Sequence, residues 1–193
     1  MTKARTLGNL VSNGNALASG TVATVASTGS YADLIDEPTA PSGTIVGTTD
    51  TQTLTNKTFS NDKIVTARET ITISATAATG TINYDVLTQS ILYFTTNSSG
   101  NFTINVRGNS TPTTLNSIMN TGESLSFVFL CTNGSTAYYN TAFQVDGSAV
   151  TAKWQGGTAP SSGSASAIDA YVYTVIKTGS AAFTVLASQT KFA

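Results

Sequence analysis

The stretch Gly47-Thr-Thr-Asp-Thr-Gln-Thr-Leu-Thr-Asn-Lys-Thr-Phe-Ser60 limits what this chain can fold into more than any other part of it. It is almost entirely polar, has no proline and no glycine after Gly47, and places threonine at about every second position. β-Branched residues at that density favour extended backbone. Leu54 and Phe59 are its only large apolar side chains. Two side chains cannot make a core, so an ordered form of this segment needs cover from elsewhere. Other copies of the same segment supply that cover most economically.

The apolar residues lie further on. Among the aromatics only Tyr31 and Phe59 come before residue 66, so the core is expected beyond it. Charged residues make up 10% of the 193-residue chain, well under the usual quarter, and the net charge is −1. Thr, Ser, Asn and Gly fill the difference, which gives a neutral, hydroxyl-rich surface. Basic residues are scattered and never cluster, so nucleic acid and anionic membranes are not expected partners. No apolar run approaches the ~20 residues of a membrane span, and no signal-peptide core opens the sequence. The expectation is a soluble protein made in a cytoplasm.

Histidine is absent and Cys131 is the single cysteine. That removes Ser-His-Asp and Cys-His nucleophilic systems, paired-sulfur zinc sites and an intrachain disulfide. Cys131 ends the apolar run Phe127-Val-Phe-Leu-Cys131 and reads as a buried core thiol. The carboxylates of the apolar half are Glu69, Asp85, Glu123, Asp146 and Asp169. Nothing in their spacing brings two together at the ~5–9 Å that glycoside hydrolysis needs. No enzymatic site, cofactor or metal is expected.

From Ile71 onward, turn signals recur every eight to twelve residues, the pattern of a sandwich or barrel. Strands are predicted near 70–75, 81–87, 90–96, 101–107, 124–131, 137–145, 149–154, 169–177 and 181–188. Phe102, Ile104 and Val106 alternate with Thr103, Asn105 and Arg107, giving one buried and one wet face. The unbroken run 127–131 predicts a central strand covered on both faces. Asn133-Gly134 and Asp146-Gly147 are tight-turn signals. One short helix is predicted, with Thr111 as cap, Pro112 at its first position, apolar Leu115, Ile118 and Met119, and Gly122 as its end. Tyr171 and Tyr173 are expected at a sandwich edge or an interface. Trp154, beside Gly156 and Gly157, is a stacking platform for a sugar, or it closes one end of the sandwich or packs against a neighbouring subunit. Tyr138 and Tyr139 carry a similar ambiguity between a ligand and a sandwich edge or interface.

At the other end, Leu7, Leu10 and Val11 form a small apolar patch in a glycine-broken segment, which reads as an anchor held by a partner. Three regions follow: residues 1–20 as anchor, 21–65 as an extended threonine-rich neck, and 66–193 as the head.

Two segments resemble known sequences. Val46-Gly-Thr-Thr-Asp-Thr-Gln-Thr-Leu-Thr-Asn-Lys-Thr-Phe59 is similar to a motif that recurs in tail-fibre and other appendage proteins of tailed bacteriophages. Ala26-Ser-Thr-Gly-Ser-Tyr-Ala-Asp-Leu-Ile-Asp-Glu-Pro-Thr39 resembles a second short segment of such fibres. From about residue 66 the chain resembles a β-rich domain of structural proteins of marine and cyanobacterial myoviruses. The resemblance implies a virion protein, homotrimeric and fibre-like, docked through residues 1–20 to another virion protein of the tail, collar or capsid. It implies an intertwined neck in which Leu54 and Phe59 are buried by neighbouring chains. The expected fold is all-β: an extended arm and neck, then an antiparallel, jelly-roll-like β-sandwich with one short helix. Two further functions stay open, a capsid decoration protein that stabilises the shell and a carbohydrate-binding module that recognises a host-surface glycan through Trp154, Tyr138 and Tyr139.

Overall fold

The computed structural model describes residues 49, 51, 53, 57–61, 63–110 and 113–193. The chain divides into two units, Met1–Asp62 and Lys63–Ala193. Residues 1–20, with Leu7, Leu10 and Val11, fall outside the described residues, as do Leu54 and most of the neck.

The second unit is an all-β fold of two facing sheets with one short helix. Its strands are β1 (Ile71–Ala77), β2 (Gly80–Asp85), β3 (Ile91–Thr96), β4 (Phe102–Arg107), β5 (Ser124–Thr132), β6 (Asn140–Val145), β7 (Ser148–Ala149), β8 (Lys153–Trp154), β9 (Ile168–Gly179) and β10 (Ala182–Phe192). The six-stranded sheet has the order β1-β3-β5-β9-β10-β8 and the four-stranded sheet β2-β4-β6-β7.

Strand direction departs from the antiparallel, jelly-roll-like expectation. β1, β3 and β5 pair in parallel, and so do β2, β4 and β6. From β1 to β6 successive strands alternate between the sheets, so this part of the chain coils, laying one strand of each sheet per turn. The strand of the opposite sheet is itself the crossover that a parallel pair requires. The corners stack as well: Ser99 N donates to Ala78 O, Gly80 N to Asn101 O and Ser98 N to Thr132 O. Antiparallel pairing enters with the short β6–β7 hairpin and then with β9, which runs against β5 and against β10 along nearly its whole length. The C-terminal segment is therefore a sheet strand, as its composition predicts.

Turn chemistry separates the two connection types. Asp146 and Gly147 both have positive φ, 51° and 81°, and join β6 to β7 as a tight hairpin. Asn133-Gly134 forms no hairpin, because β5 and β6 lie in different sheets. Instead Asn133 is buried, and its amide donates to Tyr138 O and Asp169 Oδ2.

The helix α1 (Leu115–Ile118) is one turn long and starts later than expected. Thr114, not Thr111, is its cap and accepts from Ser117 N at 3.1 Å; Thr111 and Pro112 lie outside the described residues. Asp146 adds a second restraint, accepting from Leu115 N at 2.7 Å and Asn116 N at 2.9 Å. At the opposite end Lys177 Nζ donates to Asn116 O and Met119 O at 2.6 and 2.8 Å. That lysine is nearly buried, and these carbonyls take two of its three donors.

Between the sheets lies an aromatic core. Phe129, Tyr171 and Tyr173 are fully buried, Phe102 and Phe127 nearly so. Phe127 meets Tyr84 at 4.2 Å and Tyr173 at 5.3 Å between ring centroids, while Phe102 meets Phe129 at 5.2 Å. Tyr171 and Tyr173 thus belong to the core and not to an edge or interface, because β9 lies inside its sheet with these residues turned inward.

Phe129→Ala should lower unfolding free energy by ~3–5 kcal/mol, while Thr81→Ala on the outer side of β2 should change it by less than ~0.5 kcal/mol. Urea titration followed by circular dichroism checks both values; equal effects would place the core elsewhere.

Candidate functional site

The two sheets turn different chemistry outward. On the four-stranded sheet, Asn105 Nδ2 donates to Asn83 Oδ1 at 2.8 Å across β2 and β4, and Arg107 Nε donates to Asp85 Oδ1 at 2.5 Å one step along. Thr81 lies opposite Thr103 in the same register. This face is a set of polar ladders, with Asn105 covered by the Gly147 N–H that donates to its Oδ1.

The six-stranded sheet differs. Because Phe127, Phe129 and Cys131 are buried, Val128 and Leu130 point outward. Register then fixes the rest of two outward rows: Ile71, Ile91, Val128, Val172 and Ser188, and beside it Ile73, Tyr93, Leu130, Ala170 and Thr190. β5 is therefore central, as predicted, but within one chain its outer face is only half-buried.

The aromatic residues picked out by sequence fall into two groups. Trp154 and Tyr139 line one uncharged groove of about 490 Å³, with Asn140, Thr141 and Pro160. Trp154 is half-buried and packs edge-on against Tyr171 and Tyr173, at 6.3 and 6.2 Å between centroids. β8 pairs it with the buried Ala187, so much of the indole closes the core at the sheet edge. Tyr138 is outside this groove, its backbone held by Asn133. Phe59 is 64% exposed in the single chain.

Each carboxylate of the second unit is engaged as a tie. Asp85 holds Arg107, Asp146 holds α1, Glu69 accepts from Ser90 Oγ, and Glu123 accepts from Asn120. The Asn120 side-chain amide and backbone N–H hold the exposed Glu123 carboxyl below the usual carboxylate range. Asp169 is fully buried, with Oδ2 accepting from Asn133 Nδ2 and Ser164 N. Among the described residues no group of three or more potential metal ligands comes together, and no described helix is long and apolar enough to cross a membrane.

No family model matches the chain, and neither does any curated protein or solved structure.

Cys131 is buried, and burial pushes its thiol up to about 12, helped by the charge of neighbouring Asp169. Burial also raises Tyr84, Tyr171 and Tyr173. In the unfolded chain the thiol titrates near ~8.5 and tyrosine near ~10. The folded state therefore holds these protons more tightly, and its advantage is complete below the unfolded values and shrinks as pH climbs past them. The urea midpoint should hold from neutrality to about pH 8.5 and fall progressively above it, with the thiol inert to maleimide until the protein unfolds. A midpoint unchanged to about pH 11 would contradict the burial of these groups.

Proposed function

We propose that this chain is a virion structural protein of a tailed bacteriophage, forming a homotrimeric, fibre-like appendage whose head is the β-domain. Residues 1–20, with Leu7, Leu10 and Val11, would dock it to another virion protein, and the threonine-rich neck would bring three chains together. The work is binding and assembly, not turnover.

One observation carries this reading beyond the sequence resemblance. Phe59, Ile64, Val65, Ile71 and Ile73 are all exposed in the single chain. A succession of large apolar side chains left outside one chain suits a segment completed by its neighbours. Engagement of the carboxylates as structural ties agrees with a scaffold. Composition agrees too, since a neutral, hydroxyl-rich surface suits a protein that meets other proteins without electrostatic steering.

A capsid decoration protein is the nearest alternative, and it has the same core and the same need for partners. A carbohydrate-binding role has one specific observation in its favour, the uncharged groove that brings Trp154 and Tyr139 together. In that role the indole would stack on a sugar while hydroxyls and the Asn140 amide set its orientation. The packing of Trp154 on Tyr171 and Tyr173 accounts for the residue without a ligand.

Mass spectrometry of purified particles from the virus that encodes the chain should find it in a low copy number divisible by three, and imaging should place it on the tail or collar. Copies by the hundred on the shell would favour decoration. Absence from the particle would overturn the virion reading.

A further inference from the structure

β1 carries its alternation the wrong way round for a strand covered by one chain alone. Its core-facing side holds Thr72 and Ser74, and its outward side holds Ile71 and Ile73, which is 64% exposed. Shifting the pairing by one residue would turn the isoleucines inward, yet the register with β3 is kept over Ile71–Ser74. The outward isoleucines continue across Tyr93, Val128 and Leu130 to Val172, itself 40% exposed. Hydroxyl side chains rim this apolar field, and none of the outward positions on β1, β3, β5, β9 and β10 bears a charge.

The geometry points to the outward face of the six-stranded sheet as the surface through which copies of this chain associate. The size fits. Five strands at ~4.8 Å spacing, nine residues long at β5, make a face of roughly 24 by 30 Å, or about 700 Å². That is close to the ~800 Å² each partner gives to a standard interface. The occupant follows from the chemistry. Among the described residues the one charge on this face, Lys153, lies on the edge strand β8 beside Leu186 and outside the strip β1-β3-β5-β9. That strip meets its own copy without like charges coming into opposition, and it offers a charged partner little to recognise. A copy also has the same twist and row spacing, which lets side chains of two sheets interdigitate.

The number of copies rests on the trimeric appendage reading, and the strip β1-β3-β5-β9 is the right width for three. Three faces ~19 Å wide enclose an axis about 5.5 Å from each sheet, half the ~10 Å at which sheets pack. The polar ladders of the other sheet would then face solvent.

Single cysteines placed by Ile73→Cys, Val172→Cys and, on the polar sheet, Thr81→Cys test this in the full chain, where native Cys131 is buried. Under native conditions, maleimide should label the first two more than an order of magnitude more slowly than Thr81→Cys, and dilution should remove that protection. Equal labelling of all three at every concentration overturns the proposal. Protection that survives dilution to the monomer also overturns it, since the cover would then come from the same chain. Either result leaves the particle measurement to judge the appendage reading separately, and Val172→Cys carries the test if Ile73→Cys does not fold.

Discussion

β5 is bonded in parallel to β3 on one side and antiparallel to β9 on the other, and so joins the coiled half of the domain to its C-terminal hairpin. Its period-two alternation sends Phe127, Phe129 and Cys131 into the core and Val128 and Leu130 out. Neighbouring registers copy that choice along the sheet, so the chemistry of both faces is decided by which residues of this one strand turn inward. The inward choice brings the phenyl rings against Tyr84, Phe102, Tyr171 and Tyr173. The outward choice leaves an apolar surface that a single chain does not cover.

The four-stranded sheet makes the contrast inside the same coil. Its outward positions repeat asparagine over asparagine and aspartate over arginine, which satisfy each other in the direction of stacking. Such ladders need only water beyond them. The six-stranded sheet has the same backbone arrangement with isoleucine, valine and leucine in those places. Two faces of one fold, built so differently, imply two surroundings. Elsewhere polar groups act as internal ties: Asn133 fixes the loop before β6 to Asp169, Asp146 holds the start of α1, and Lys177 holds its end.

Much of this was legible in the sequence because alternation and turn residues act locally. The positions of most strands, the wet face of β4, the burial of Cys131, the Asp146-Gly147 hairpin and the strand at the C-terminus could be read directly. The strand expected over 149–154 is instead split into β7 and β8, which lie in opposite sheets. Strand direction could not be read. Links such as Ala78-Thr79 are as short as hairpin turns, and only contacts between distant residues reveal that they carry the chain to the opposite sheet. Asn133-Gly134 misled for the same reason, since its side chain serves a buried hydrogen-bond network. Tyr171 and Tyr173 read as edge residues because their hydroxyls suggest water, whereas the rings sit within the aromatic core. The outward rows left a partial signal: residues 127–131 are apolar on both faces, which predicts cover on both sides without saying whose. Of the candidate site residues, Trp154 and Tyr139 share a groove and Tyr138 does not, a distinction set by the buried Asn133 and invisible in the Tyr-Tyr pair.

A central strand with one face in its own core and the other proposed to meet copies of itself makes a definite demand on the size of the particle in solution. Light scattering of the full chain at micromolar concentration measures it most directly. The expected result is a mass three times the 19.8 kDa of the single chain, held over a range of concentrations. A stable mass of 19.8 kDa would contradict it, because the apolar face of the six-stranded sheet would then stand in water without a partner.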